Sequence, residues 1–225
     1  MIEVVGLRDR LRVFRDRRHA GEIVAGLLEP ERAPDAMVLA IPAGGVPVAV
    51  PIAQRLGLAL DLAVVSKITM PWSTEAGYGA VAFDGTTRLN EPLLRTLPLS
   101  RADIDDGIRR TREKVLRRVQ ALRGGRGLDL RGRRAILVDD GLASGITMRV
   151  AVEAVRNAGA ARVVVAVPTA HRETADAVER EVDVLYVPNV RSGASFAVAD
   201  AYEHWHDVSD TELTDLLRLA RIVDG

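Results

Sequence analysis

The sequence predicts an α/β protein, a doubly wound and mainly parallel sheet flanked by helices with a small hood built from the chain termini. Two observations predict it. Short apolar runs recur at 37–41, 60–68, 134–139, 162–167 and 182–187, and stretches with helical spacing of apolar residues lie between most of them. Strands that alternate with helices build parallel sheets, because the crossover returns each strand in the same direction. Two of these runs also end in glycine turns that open helices, Pro42-Ala43-Gly44-Gly45 and Asp139-Asp140-Gly141. In open α/β sheets that strand edge is where ligands bind.

Element by element, residues 14–28 read as a helix with Val24, Leu27 and Leu28 on one face. Residues 37–41 form a buried strand that turns at Pro42 to Gly45 into a helix running through Gln54 and Leu56. Residues 60–68 read as one second strand with Lys67 near its end, and a hairpin is expected around 81–87 within the Gly-, Pro- and Thr-rich stretch 69–100. Ile104, Ile108, Val115, Val119 and Leu122 give an amphipathic helix that Gly124-Gly125 terminates. A third strand at 134–139, a helix at 146–157 stopped by Gly159, a fourth strand at 162–167, a helix at 171–181 and a fifth strand at 182–187 follow. The tail, 196–223, is aromatic and then helical. The 225 residues fit one domain, with a core over about 35–190 and a hood from about 1–30 and 190–225.

Composition narrows the function. Lys+Arg and Asp+Glu balance at 31 each, so no global field recruits nucleic acid, which is not expected as a partner. The absence of cysteine excludes a disulfide framework, a thiolate nucleophile and a Cys-ligated zinc site. Residues 36–53 are uncharged and mostly apolar, but Pro42, Pro47, Pro51 and Gly44-Gly45 suit a strand, a glycine turn and a helix better than a membrane span. Charges near the start leave no apolar run for a signal peptide, and a soluble, cytoplasmic protein is expected.

The chemistry concentrates at residues 136–148. Three apolar strand residues, Ile136-Leu137-Val138, run into two adjacent carboxylates, Asp139 and Asp140. Gly141, Leu142, Ala143, Ser144, Gly145, Ile146 and Thr147 then form a small-residue loop and the first turn of a helix. Free N–H groups at that helix start, with the hydroxyls of Ser144 and Thr147, suit a phosphate monoester. Two carboxylates would repel a phosphate, so they face sugar hydroxyls and a divalent cation instead. A phosphate and a diol a ribose-length apart, with Mg²⁺, describe a phosphoribosyl group. An ordinary strand–turn–helix in which Asp139 only caps the next helix would need one acid and one glycine, not this ordered set.

These thirteen residues resemble the phosphoribosyl pyrophosphate (PRPP) signature of type I phosphoribosyltransferases. The stretches 14–21, 41–49, Leu89-Asn90-Glu91 and Phe196-Ala197-Val198 are similar to one bacterial and archaeal group of that family whose acceptor is generally unassigned. The resemblance implies the type I fold, Mg²⁺ as cofactor, PRPP and a small nitrogenous acceptor as substrates, and a homodimer. It implies that Asp139 and Asp140 hold the ribose hydroxyls and the metal, and that residues Ala143 to Thr147 hold the 5′-phosphate. It also implies that Ala43-Gly44-Gly45 is the pyrophosphate loop and that Lys67 neutralises the leaving group. Ala43 and Ser66 stand where members of the group often carry arginine, and Leu122 replaces a common tyrosine. Catalysis implied in this way comes from Asp139, Asp140 and Lys67 through orientation and charge stabilisation rather than from one acid or base.

Other signals are weaker. Gly77-Tyr78-Gly79-Ala80-Val81-Ala82 fits a loose dinucleotide pattern but follows a loop, not a strand, and reads better as part of a loop over the active site together with Glu75. Tyr202 and Trp205 are candidates to stack on an acceptor base, with plain packing as the competing reading. His204 and His206 lack a further ligand at zinc spacing. The basic side of the long helix, Arg109 to Arg118, reads first as a solvated face. A PRPP- or nucleotide-sensing regulator on the same fold is the alternative function.

Overall fold

A computed structural model describes residues 1–73 and 76–222. In chain order the main elements are α1 (Arg17–Leu27), β1 (Ala36–Ala40), α2 (Gly45–Leu56), β2 (Ala59–Leu62), β3 (Val65–Thr69), β4 (Gly77–Ala82), β5 (Thr87–Leu89) and α3 (Glu91–Leu94). They continue with α4 (Arg101–Arg123), β6 (Arg134–Val138), α5 (Ile146–Asn157), β7 (Arg162–Ala166), β8 (Thr169–His171), α6 (Arg172–Glu179), β9 (Val184–Tyr186), β10 (Asn189–Arg191) and α7 (Asp210–Ile222). Among the described residues no helix is long and apolar enough to cross a membrane.

Five strands form one parallel sheet in the order β2-β1-β6-β7-β9. Chain order reverses between β1 and β6, so the loops after these two strands diverge to opposite faces and leave a crevice between them. Apart from Arg134 and Arg162 at strand starts and Asp61 on the edge strand β2, the strands are apolar because both faces are covered. Ile136 and Val138 point into a cluster with α2, Val115 of α4 and Leu213 of α7. Ala135 and Leu137 point into a second cluster with α5, Ala175 and Val178. This period of two along β6 is the strand's own geometry.

The apolar run at 60–68 is not one strand. β2 ends at Leu62 in the parallel sheet, and β3 opens a separate antiparallel sheet, β3-β4-β5. Ala63 still donates to the Ala40 carbonyl at 2.9 Å, so the chain leaves one sheet and enters the next within two residues. Leu62, Ala63, Val64 and Val65 are buried without interruption across the break, which hides it from periodicity. The helix expected at 171–181 is α6, Arg172–Glu179, and it follows directly on the short strand β8, which pairs in parallel with β10.

The two ends of the chain meet. Phe14 N–H donates to the Ala201 carbonyl at 3.0 Å and Glu203 N–H to the Phe14 carbonyl at 2.8 Å. Phe14, Ala20, Ala201 and Tyr202 form a small apolar cluster of their own. At the opposite end of the parallel sheet, Glu31 is 4% exposed and takes Arg134 at 3.0 Å, Arg162 at 3.3 Å and the Tyr186 hydroxyl at 3.1 Å. Burial, then the Glu31 charge, pushes the Tyr186 hydroxyl up to about 12. This cluster ties the segment before β1 to the starts of β6 and β7.

Removing the carboxylate leaves two guanidinium groups uncompensated. Glu31→Gln should therefore cost about 3 kcal/mol in urea unfolding while leaving ligand affinity at the far strand edge unchanged. A loss well under 1 kcal/mol would show that the cluster contributes little to stability.

Candidate functional site

The crevice between β1 and β6 is built by close approach. A Cβ on Gly44 would stand 2.1 Å from Asp140 Oδ2, and one on Gly45 would stand 2.5 Å from the Val138 carbonyl oxygen. Only glycine lets the turn after β1 lie directly against the end of β6. Ala43, between Pro42 and Gly44, is joined to Pro42 by a cis peptide bond.

Asp139 and Asp140 end β6 side by side, both half-buried. Asp140 N–H donates to Asp139 Oδ1 at 2.9 Å. Burial, reinforced by the neighbouring Asp140 charge, holds the Asp139 carboxyl well above the usual carboxylate range. Burial raises Asp140 too, and Arg17 opposes that rise. Arg17 Nε donates to Asp140 Oδ2 at 2.9 Å. The same guanidinium donates to the His206 carbonyl at 2.7 Å and lies 3.7 Å from the centre of the Trp205 ring. Arg17 belongs to the first turn of α1, whose N-cap is Asp16, so the helix start aims the cation at the strand edge.

The loop after the acids is shaped by its neighbours. Leu142 N–H donates to the Thr169 carbonyl at 2.9 Å, and the Thr174 hydroxyl donates to the Ala143 carbonyl at 2.6 Å. A Cβ on Gly141 would come 2.6 Å from Val198, so the segment near the C-terminus closes over this point. Gly145 has φ +69° and begins α5 without any capping side chain. The N–H groups of the first turn, including Ile146 and Thr147, are therefore available to an outside acceptor. Ser144 is exposed and Thr147 half-buried beside them. A Cβ on Gly145 would point at Thr174 Cγ2, 2.6 Å away, so this glycine serves the turn and its packing as well as ligand approach.

Lys67 lies on β3, outside the parallel sheet, yet its charge acts on Asp139 and favours the carboxylate. Tyr202 is 3% exposed, packs between Phe14 and Trp205, and donates its hydroxyl to the Asp140 carbonyl at 2.6 Å. It therefore holds the strand edge rather than offering an open face, whereas Trp205 keeps 37% exposure. His206 pairs with Glu212 at 3.1 Å. Residues 77–82 form strand β4 rather than a loop, and Glu75 lies outside the described residues. Arg17 was not among the residues expected at the site, since an arginine in a run of charges at a helix start looks solvated. Its 6% exposure is a tertiary fact.

Comparisons with known proteins agree with this geometry. The phosphoribosyl transferase domain family matches residues 17–200. Two Mycobacterium tuberculosis proteins, from two strains and provisionally named phosphoribosyl transferases, are each 36% identical over 214 residues, 92% of this chain. The chain spans about half, 47%, of the length of those relatives. A crystal structure of a Thermus thermophilus protein superposes with a TM-score of 0.72 at 34% identity, covering 92% of this chain and 98% of that one. The family match, these relatives and the strand-edge acids with their uncapped helix start lead to one assignment: the chain belongs to the phosphoribosyl transferase family.

Proposed function

We propose that the chain transfers phosphoribose from PRPP to a nitrogenous acceptor with Mg²⁺, releasing pyrophosphate. The observation that carries this reading is the pairing of two half-buried carboxylates with an uncapped helix start on one strand edge. The helix start suits the 5′-phosphate and the carboxylates suit the ribose hydroxyls. Among the described residues no third carboxylate or imidazole joins the pair. A donor set of two hard oxygens fits Mg²⁺, which keeps several waters and takes other ligands from substrate phosphates. When bound, the metal would offset negative charge on the departing pyrophosphate.

In this reaction the bond from the anomeric carbon to pyrophosphate breaks, and pyrophosphate leaves with the electron pair. A bond from the same carbon to the acceptor nitrogen forms, and a proton leaves that nitrogen. The residues present have orienting tasks. Ser144, Thr147 and the α5 N–H groups fix the 5′-phosphate, while Asp139 and Asp140 fix the sugar. Arg17 holds Asp140 in place and opposes the rise that burial imposes on its pKa. Backbone at Ala43-Gly44-Gly45 and the Lys67 charge receive the leaving group.

Incubation with PRPP and Mg²⁺ against purines, pyrimidines and small amines, read by pyrophosphate release, tests the reading. Release should require one acceptor class and should vanish on chelation of the metal. Tight PRPP binding without release for any acceptor would favour a sensing protein, and no PRPP binding would overturn the assignment.

The carboxylate pair also predicts a stability–pH relation in the ligand-free protein. The folded pKa of Asp139 lies above its unfolded value, so the folded state holds a proton that the unfolded chain releases. Stability from this group is then greatest in acid and falls as pH rises past about 4. Asp139→Asn keeps the acceptor for Asp140 N–H but cannot ionise. Its melting temperature should match or exceed the parent's near neutral pH, and the difference should shrink toward about pH 4. A variant clearly less stable than the parent at neutral pH would contradict the buried like-charge description.

A further inference from the structure

We propose that Arg17 is a positioning residue that couples the sugar site to the seating of the C-terminal segment around Trp205. The inference rests on the transferase reading and adds to it a link between ribose binding at Asp140 and closure of the chain beside it. One guanidinium makes three contacts on separate parts of the fold. Its Nε donates to Asp140 Oδ2 at 2.9 Å, its Nη1 donates to the His206 carbonyl at 2.7 Å, and its central carbon lies 3.7 Å from the centre of the Trp205 ring.

The base of this side chain is fixed without help from the C-terminal segment. Asp16 caps α1 by accepting from His19 N–H at 2.8 Å. A Cβ on Gly21 would stand 2.3 Å from the Val48 carbonyl oxygen, so the backbone of α1 lies directly on that of α2. α2 in turn opens at the turn that touches Asp140. Arg15 and Arg18, on either side of Arg17, pair with Asp16 and Glu22 and stay exposed. The other carboxylate on this side, Glu212, is taken by His206 at 3.1 Å. Among the described residues, Asp140 is the carboxylate with which Arg17 pairs.

The C-terminal segment is held conditionally. Glu203 and His204 donate their N–H groups to the Phe14 and Arg15 carbonyls, each at 2.8 Å. Past them, the next backbone group tied to a distant part of the described chain is the His206 carbonyl, and Arg17 ties it. The Trp205 ring rests on the Arg17 guanidinium and on the Tyr202 ring, whose centre is 5.1 Å away. Tyr202 donates its hydroxyl to the Asp140 carbonyl at 2.6 Å. Both supports of Trp205 are therefore bonded to residue 140, one at its carboxylate and one at its main chain. A ligand that orders Asp140 also orders these supports, and by reciprocity a seated Trp205 strengthens binding at Asp140 by the same factor. A lysine would keep the charge, but its compact ammonium lacks the planar fork that donates in two directions while covering a ring.

Trp205 reports on the coupling once Trp72, the other tryptophan, is changed to phenylalanine. In the Trp72→Phe protein, saturation with ribose 5-phosphate and Mg²⁺ should shift Trp205 emission and lower its quenching by acrylamide. Arg17→Gln in the same background should raise quenching without ligand, abolish the ligand-induced shift and weaken ribose 5-phosphate about tenfold in calorimetry. Arg17→Lys should not restore the shift, and full rescue by it would overturn the positioning role. Trp205→Leu, with the Arg17–Asp140 pair intact, should weaken ribose 5-phosphate about threefold, which an arginine serving Asp140 alone would not cause. Binding of ribose 5-phosphate with Trp205 emission unchanged, or an unchanged affinity in Trp205→Leu, would overturn the coupling and leave the transferase reading standing. Those two measurements decide the matter if Arg17→Gln fails to fold. A parent protein that binds neither ribose 5-phosphate nor PRPP would sink the transferase reading and the coupling together.

Discussion

Two adjacent carboxylates at the end of a buried strand oppose folding, and much of the molecule is arranged to hold them there. Burial disfavours both charges, and the Asp140 charge adds to the cost at Asp139. The compensation is specific. Arg17 reaches Asp140 from a helix more than a hundred residues away in sequence, and its guanidinium is fixed by the His206 carbonyl and the Trp205 ring. Tyr202 pins the Asp140 carbonyl. The meeting of the chain ends at Phe14 and Ala201 is what brings Arg17, Tyr202 and Trp205 to one place.

The scaffold explains why the site lies where it does. Reversal of strand order between β1 and β6 opens the crevice, and Gly44 and Gly45 let the two turns touch across it. Gly145 then starts α5 with its N–H groups facing outward. On the other side of the acids, the antiparallel sheet carries Lys67 and seats α4 at Gly107.

The parts legible in the sequence were those encoded locally. The helix at 146–157 was bounded by glycine and loop chemistry on both sides, and α5 has those ends. The strand into Asp139-Asp140 was marked by an apolar run that stops at two charges. The run at 60–68 misled because Leu62 to Ser66 are buried continuously from one sheet into the next, and a change of sheet leaves no mark on periodicity. The three-residue strands β8 and β10 are too short to carry a pattern. Arg17 was missed because its partners lie on a different strand and near the far end of the chain. Tyr202 was legible as an aromatic near the site, but its burial against Phe14 and its bond to Asp140 are long-range facts.

The most direct test is calorimetric titration of PRPP in Mg²⁺ into the parent protein and into the Asp139→Asn, Asp140→Asn double variant, with folding of both confirmed by thermal unfolding. If the carboxylate pair reads the ribose and its metal, the folded double variant loses PRPP binding by at least about a hundredfold while inorganic pyrophosphate without metal binds much as before. A folded double variant that binds PRPP as tightly as the parent would contradict the account at its centre.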